Sequence, residues 1–264
     1  MTTLRLGTVP YLNAAPLLGG LDARDDIELV HAVPSQLAPR LRAGELDAAL
    51  VSAVELFRHP PLGWVRGPAI TSYGAVESIL LFLRTPPDGV RSLALDSASL
   101  SAAAMTQVCL REFLGARDVR VTTQPADIPL EQIDADAVLR IGDPALRTDP
   151  GSRTVLDMGS VWTRATGLPF VYALWLTRPD LPDEPVTSIL AEARLTGLSQ
   201  RPELASRFAS SEGMSAERCL RYLTASIGYA LGPDEQAGLA RFGTLAHGCG
   251  LTDRPDLPLP IGAS

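Results

Sequence analysis

In the first part of the chain, short apolar runs alternate with stretches of helical spacing. Residues 4–9 (LRLGTV) are too few for a stable helix and suit a strand, and residues 13–20 can form a short helix ended by two glycines. A second strand is predicted at residues 27–31. Pro34 then opens a helix in which Leu37 and Leu41 stand four apart, and Gly44 stops it before a strand at residues 48–51. This βαβαβ order predicts an α/β protein with a largely parallel sheet, in which ligands sit on the loops at the carboxyl ends of strands. Those loops hold Tyr11, Asn13 and Ser52.

A second set begins at Arg91: a strand at 92–95, a helix at 101–114, strands at 119–122 and 137–141, and a helix start at Asp143. It repeats the architecture without repeating the sequence. Proline-rich stretches at 85–87 and 178–182 flank this block, as expected where a chain enters and leaves an inserted unit. The division predicted is a discontinuous lobe one (1–83 and 177–264) and an inserted lobe two (84–176). Helices are expected at 187–198, 202–210, 215–229 and 233–247, packed on lobe one, with an irregular proline-rich tail from 252.

Of the 264 residues, 46% are hydrophobic and 20% charged, enough to bury a generous core. A net charge of −7 offers no basic footprint for nucleic acid. All 23 basic residues are arginine, which removes Schiff-base and Walker-lysine chemistry and leaves arginine and backbone amides as partners for a carboxylate. Cys109, Cys219 and Cys249 are far apart and odd in number, and His31, His59 and His247 lack ligand spacing, so neither a disulfide framework nor a metal site is expected. Gly7, Pro10, Asn13 and Pro16 interrupt any signal-peptide pattern, and the most apolar segments are far below the roughly 20 residues a membrane span needs. A cytoplasmic protein with no membrane partner is the expectation.

Candidate chemistry clusters at strand ends. Tyr11 and Asn13 lie in a strand-to-helix loop, where Asn13 can meet a ligand or cap the helix. Ser52 ends an apolar strand and can bind an anion or cap. Glu55, just beyond, is a dipole partner, a structural acceptor or a proton acceptor. Residues 94–104 (ALDSASLSAAA) bring Ser97, Ser99 and Ser101 to a helix start, where free N–H groups favour a carboxylate, though serine clusters also cap ordinary helices. Gly142 permits close approach to backbone, and Asp143 is a helix cap or a base. Trp162 and Trp175 either line an aromatic pocket or fill the core, and Thr166 shares the helix with Trp162. GxGxxG, GxxxxGK[ST], HExxH and GxSxG are all absent.

Taken together, YLNAAPL, VPSQLAPRLRAGELDAALVSAVE, YGAVESILLF, ALDSASLSAAA, ADAVLRIGDPAL and LDMGSVWTRATGLPFVYALW resemble the chorismate dehydratase family, over about residues 7 to 176. The resemblance implies a two-lobed fold like the type II periplasmic binding proteins, each lobe a mainly parallel sheet flanked by helices, with the ligand cleft between the lobes. It implies dehydration of chorismate, a dianion, to 3-[(1-carboxyvinyl)oxy]benzoate in the futalosine route to menaquinone, without a cofactor. The family's cleft residues map onto Asn13 and Ser78 as catalytic groups. Ser52, Ser99 and Ser101 are the implied carboxylate contacts, and Tyr11, Ser97, Gly142, Asp143 and Thr166 join them as expected substrate contacts on the reading of the residues above. The family's helix start often reads Thr-Ser where this chain reads Ser101-Ala102, which removes one hydroxyl. Two rivals remain: a solute-binding or sensory protein of the same fold, and 1,4-dihydroxy-6-naphthoate synthase, whose CPNDTF-type opening is replaced here by YLNAAP.

Overall fold

The computed structural model describes residues 3–96, 99–125, 128–212 and 214–263, with the side chains of 34, 35, 143, 211 and 212 outside the description. The strands are β1 (Leu4–Thr8), β2 (Ile27–His31), β3 (Ala48–Ser52), β4 (Gly63–Ser72), β5 (Ile79–Leu83), β6 (Ser92–Asp96), β7 (Arg120–Gln124), β8 (Ala137–Ile141), β9 (Thr154–Asp157), β10 (Phe170–Thr177) and β11 (Gly228–Leu231). The helices are α1 (Pro34–Arg42), α2 (Leu100–Glu112), α3 (Asp143–Arg147), α4 (Met158–Thr166), α5 (Val186–Ser199), α6 (Arg201–Glu212), α7 (Ala216–Arg221) and α8 (Pro233–Gly248).

Among the described residues the strands form two sheets, ordered β11-β4-β10-β3-β1-β2 and β7-β6-β8-β5-β9. β3 and β8 are buried along their whole length, as strands covered on both faces must be. Parallel pairing is confined to β2-β1-β3 and β7-β6-β8, and the remaining pairs are antiparallel. β5 and β10 each enter their sheet by a crossing from the other one, and run against the neighbours they pair with there. The sheets are therefore mixed where largely parallel ones were predicted.

The chain changes sheets between β4 and β5 and again between β9 and β10. Residues 79–83 thus belong to the second sheet and 170–176 to the first, whereas the sequence division put each in the opposite lobe. The proline stretches mark loops just beyond these strands, not the crossings. The crossings themselves are tied together. Asp157 caps α4 by accepting the Ser160 N–H (2.9 Å) and also accepts the N–H groups of Val76 and Glu77, the latter at 2.7 Å. Thr163 Oγ1 accepts the Gly74 N–H at 2.9 Å.

One hydrophobic core runs through both lobes, and a smaller cluster around Phe82 and Val138 lies apart from it. Trp162 and Trp175 are fully buried, which makes them core. Trp162 packs edge-on against Phe170 (5.1 Å between centroids), and Phe170 against Phe242 (5.0 Å). Glu55 is also structural: its buried carboxylate meets Arg42 Nη1 at 2.5 Å and Arg58 Nη1 at 2.8 Å.

Two expectations in the last third are revised. The helix predicted over 215–229 stops at Arg221, continues as a π-turn (Tyr222–Ser226), and gives way to β11, which pairs with β4. The tail is irregular, as expected, but anchored: Pro258 accepts the Trp64 indole N–H at 2.8 Å, and Ile261 N donates to the Trp64 carbonyl at 3.0 Å. Among the described residues no helix is long and apolar enough to cross a membrane.

Candidate active site

A cavity of about 270 Å³ opens where the carboxyl ends of β1, β3 and β8 approach one another. That is the position an α/β sheet reserves for ligands, and the volume sits near the lower end of small-molecule pockets. Tyr11 and Asn13 reach it from the loop after β1, Ser52 from the end of β3, and Gly142 and Pro144 from the β8-α3 turn. Ser99 reaches it from the start of α2, where its hydroxyl caps the helix by accepting the Ala102 N–H at 3.3 Å. Aliphatic side chains such as Leu50 and Ile70 supply much of the remaining wall.

Gly142 combines φ 68° with ψ −143°, a backbone that only glycine adopts readily, and its N–H donates to the Ser78 carbonyl at 2.7 Å. Ser78 itself is buried behind the wall. Its hydroxyl shares a 2.8 Å hydrogen bond with that of Tyr222, which lines the cavity. On the opposite side, Tyr172 shares a 2.9 Å hydrogen bond with Ser72. Burial pushes the Tyr172 phenol far above its ordinary value, although the Ser72 bond opposes the shift, so it stays protonated.

Asn13 Oδ1 is buried without a hydrogen-bond partner among the described residues. A buried amide carbonyl left unpaired costs about 1–3 kcal/mol, and one at the wall of a cavity can be completed by what the cavity binds. The described lining residues include no Asp, Glu, His or Arg. Hydroxyls and backbone amides therefore take the place that the arginines were expected to fill.

The structure brings five of the expected residues to the cavity: Tyr11, Asn13, Ser52, Ser99 and Gly142. Ser78 does not line it and lies behind Tyr222, to which its hydroxyl is hydrogen-bonded. Ser101 does not line it; its buried hydroxyl accepts the Val54 N–H at 3.0 Å and so ties α2 to the segment after β3. Thr166 does not line it either, because its hydroxyl donates to the Trp162 carbonyl (2.9 Å) and accepts the Leu168 N–H (3.2 Å) to close α4. Ser97 lies outside the described residues, as does the side chain of Asp143, whose backbone opens α3. Sequence reasoning missed Tyr172 and Tyr222. Tyr172 sits in an unbroken apolar strand with no polar alternation to single it out, and Tyr222 fell inside the predicted helix.

Comparison with known proteins agrees with this architecture. Residues 4–248 match the family model described as menaquinone biosynthesis. The chain is 30% identical over 258 residues to chorismate dehydratase of Thermus thermophilus, covering 90% of this chain and 93% of that protein. Among solved structures, a protein from Archaeoglobus fulgidus superposes with a TM-score of 0.75 at 17% identity, covering 94% of this chain and 98% of that one. The periplasmic aliphatic sulphonate binding protein SsuA of Escherichia coli superposes with a TM-score of 0.70 at 15% identity, covering 100% and 94%. At those identities the structural likeness speaks for the periplasmic-binding-protein fold alone, with the cavity between its two sheets. Fold, cavity position and matched sequence together make this chain a member of the menaquinone-biosynthesis family to which chorismate dehydratase belongs.

Proposed function

We propose that this protein is a hydro-lyase that converts chorismate to 3-[(1-carboxyvinyl)oxy]benzoate and water, in the futalosine route to menaquinone. The observation that carries the proposal is the unpaired buried Asn13 Oδ1 in a cavity whose described wall holds no charged side chain. Such a wall suits a reaction in which the substrate brings its own charges. Chorismate loses the hydrogen on ring C3 and the hydroxyl on ring C4. The C3–H electron pair becomes the new ring double bond as the C4–O bond breaks, and aromatisation supplies the drive.

With no carboxylate or imidazole among the described lining residues, the side-chain carboxylate of chorismate is the proton acceptor in this reading. Asn13 orients that carboxylate or the departing hydroxyl, since an amide offers both donors and an acceptor. Tyr222, backed by Ser78, holds a substrate oxygen. Ser52, Ser99 and the first amides of α2 receive a carboxylate. The protein's contribution is mainly to position and desolvate.

Purified protein incubated with chorismate should yield the aromatic diacid, followed by chromatography and the aromatic absorbance. Saturable binding of chorismate without product would overturn the proposal in favour of a non-catalytic binding protein of the same fold.

A further inference from the structure

Glu77 is one of two described residues other than glycine, with Asp118, whose φ is positive. It lies in the crossing between β4 and β5 with φ 63°, a left-handed conformation that a glutamate adopts at a cost. Two sets of contacts hold it there. Its N–H donates to Asp157 Oδ2 at 2.7 Å, which fixes the backbone against the start of α4. Its carboxylate accepts the Ser226 hydroxyl at 2.6 Å and faces Arg221 Nη2 at 3.9 Å.

Ser226 closes the π-turn that Tyr222 opens. A π-turn carries an extra residue relative to the α-helix and is held less firmly by its own hydrogen bonds. The Glu77 carboxylate grips one end of this turn while the neighbouring Ser78 meets Tyr222 at the other, 2.8 Å hydroxyl to hydroxyl. The same segment is fastened once more to the second lobe, where Arg218 Nη2 donates to the Leu146 carbonyl at 2.7 Å. Consecutive residues of the crossing thus hold both ends of the element that delivers Tyr222 to the cavity.

We infer that Glu77 is a positioning residue which, through Ser226 and the π-turn, sets the Tyr222–Ser78 hydroxyl pair against the substrate. The inference rests on the dehydration proposed above for its kinetic consequence, and on geometry alone for its structural one. It also accounts for a glutamate at a left-handed position, where glycine would be more comfortable.

The test compares Glu77→Gly, Glu77→Gln, Tyr222→Phe and the Glu77→Gly/Tyr222→Phe double variant. Glycine removes the carboxylate and relieves the left-handed backbone, so a merely structural loss is separated from a positional one. Expected for Glu77→Gly are a thermal midpoint no lower than wild type, a kcat about tenfold lower, and a KM within about threefold, because the groups that receive carboxylates are untouched. Glutamine still accepts from Ser226, and Glu77→Gln should stay within about twofold of wild type. The double variant should be no slower than Tyr222→Phe alone, since both changes cut one chain. Unchanged kcat in Glu77→Gly, or multiplying effects in the double variant, would overturn the inference.

Hydrogen–deuterium exchange across residues 222–227 reads the same chain without substrate. Glu77→Gly should exchange there about tenfold faster than wild type, with Glu77→Gln restored. Wild-type protection in Glu77→Gly would sink the inference even if chorismate proved not to be the substrate.

Discussion

Replacing Gly142 by alanine isolates a backbone effect at the cavity. A Cβ built at Gly142 meets no atom of the described residues within 4 Å, so among them Gly142→Ala introduces no clash. What it introduces is a side chain at φ 68°, ψ −143°, a region essentially reserved for glycine, at a cost of about 1–3 kcal/mol. Gly20 is the matched control. It also has open space around its Cβ position, but at φ 75°, ψ 0° it is ordinary left-handed backbone, where alanine costs about 1–2 kcal/mol. Both substitutions stiffen the unfolded chain equally, so that contribution cancels in the comparison.

At about 2–4 °C per kcal/mol for a chain of this size, Gly20→Ala should lower the thermal midpoint by a few degrees, and Gly142→Ala by up to about 10 °C. Function should separate the pair further. Any backbone rotation that relieves Gly142→Ala turns its N–H away from the Ser78 carbonyl, now 2.7 Å distant, and disturbs the Tyr222 contact behind the cavity. Gly142→Ala should therefore lose at least about tenfold in kcat, and Gly20→Ala none. Thermal unfolding by calorimetry and steady-state kinetics read both quantities. A midpoint for Gly142→Ala at or above that of Gly20→Ala would refute the reasoning.

Asn13→Leu should raise the thermal midpoint by about 2–4 °C, because it removes an unpaired buried carbonyl worth about 1 kcal/mol, yet cut turnover of chorismate about 100-fold or more. A variant both less stable and fully active would mean that Asn13 is structural. Glu55→Ala strands Arg42 beside the core and should cost about 3–5 kcal/mol in urea unfolding with KM unchanged; a loss under about 1 kcal/mol would count against the buried pair. The Asp136 carboxyl is held below the usual carboxylate range by the Arg91 N–H and, against the opposing effect of burial, by the Ser92 hydroxyl and N–H. Its folded pKa being depressed, its contribution is fully present above the unfolded value of about 4 and lost as pH falls below that value through the folded one. Melting temperatures measured from pH 5 down to pH 3 should fall less steeply in Asp136→Asn, and an unchanged acid slope would remove Asp136 from the account.

Local pattern made β1, β2, β3 and the long helices readable, because each is an apolar run or a helical repeat bounded by glycine or proline. The loops they define carried Tyr11, Asn13 and Ser52 to the cavity with them. Elements owed to distant pairing were not readable. β11 is a strand because Gly228 and its neighbours meet β4, and nothing within residues 228–231 outweighs the helical pattern before them. β4 itself, with Gly67 and Pro68 in its middle, is assigned no element from the sequence, because its strand is completed only by β10 and β11 on either side. Tyr222 was hidden for the same reason: its direction is set by a π-turn that the helical period does not foresee. The sheet crossings were misplaced because proline marks surface loops, whereas these crossings are tied by side chains such as Asp157.

The uneven spacing of the strands along the chain bears on how the protein is made. β5 to β9 all lie within residues 79–157, so that sheet can close as soon as its own stretch has left the ribosome. The first sheet begins earlier and finishes later: the edge of β3 is covered only when β10 arrives, with Ser52 pairing to Ala173. Until then β3 presents an open edge, apolar from Ala48 to Val51, the kind of surface that captures other strands and drives aggregation. The hazardous interval of synthesis therefore falls on the oldest part of the chain, and ends only once residue 177 is free to fold back.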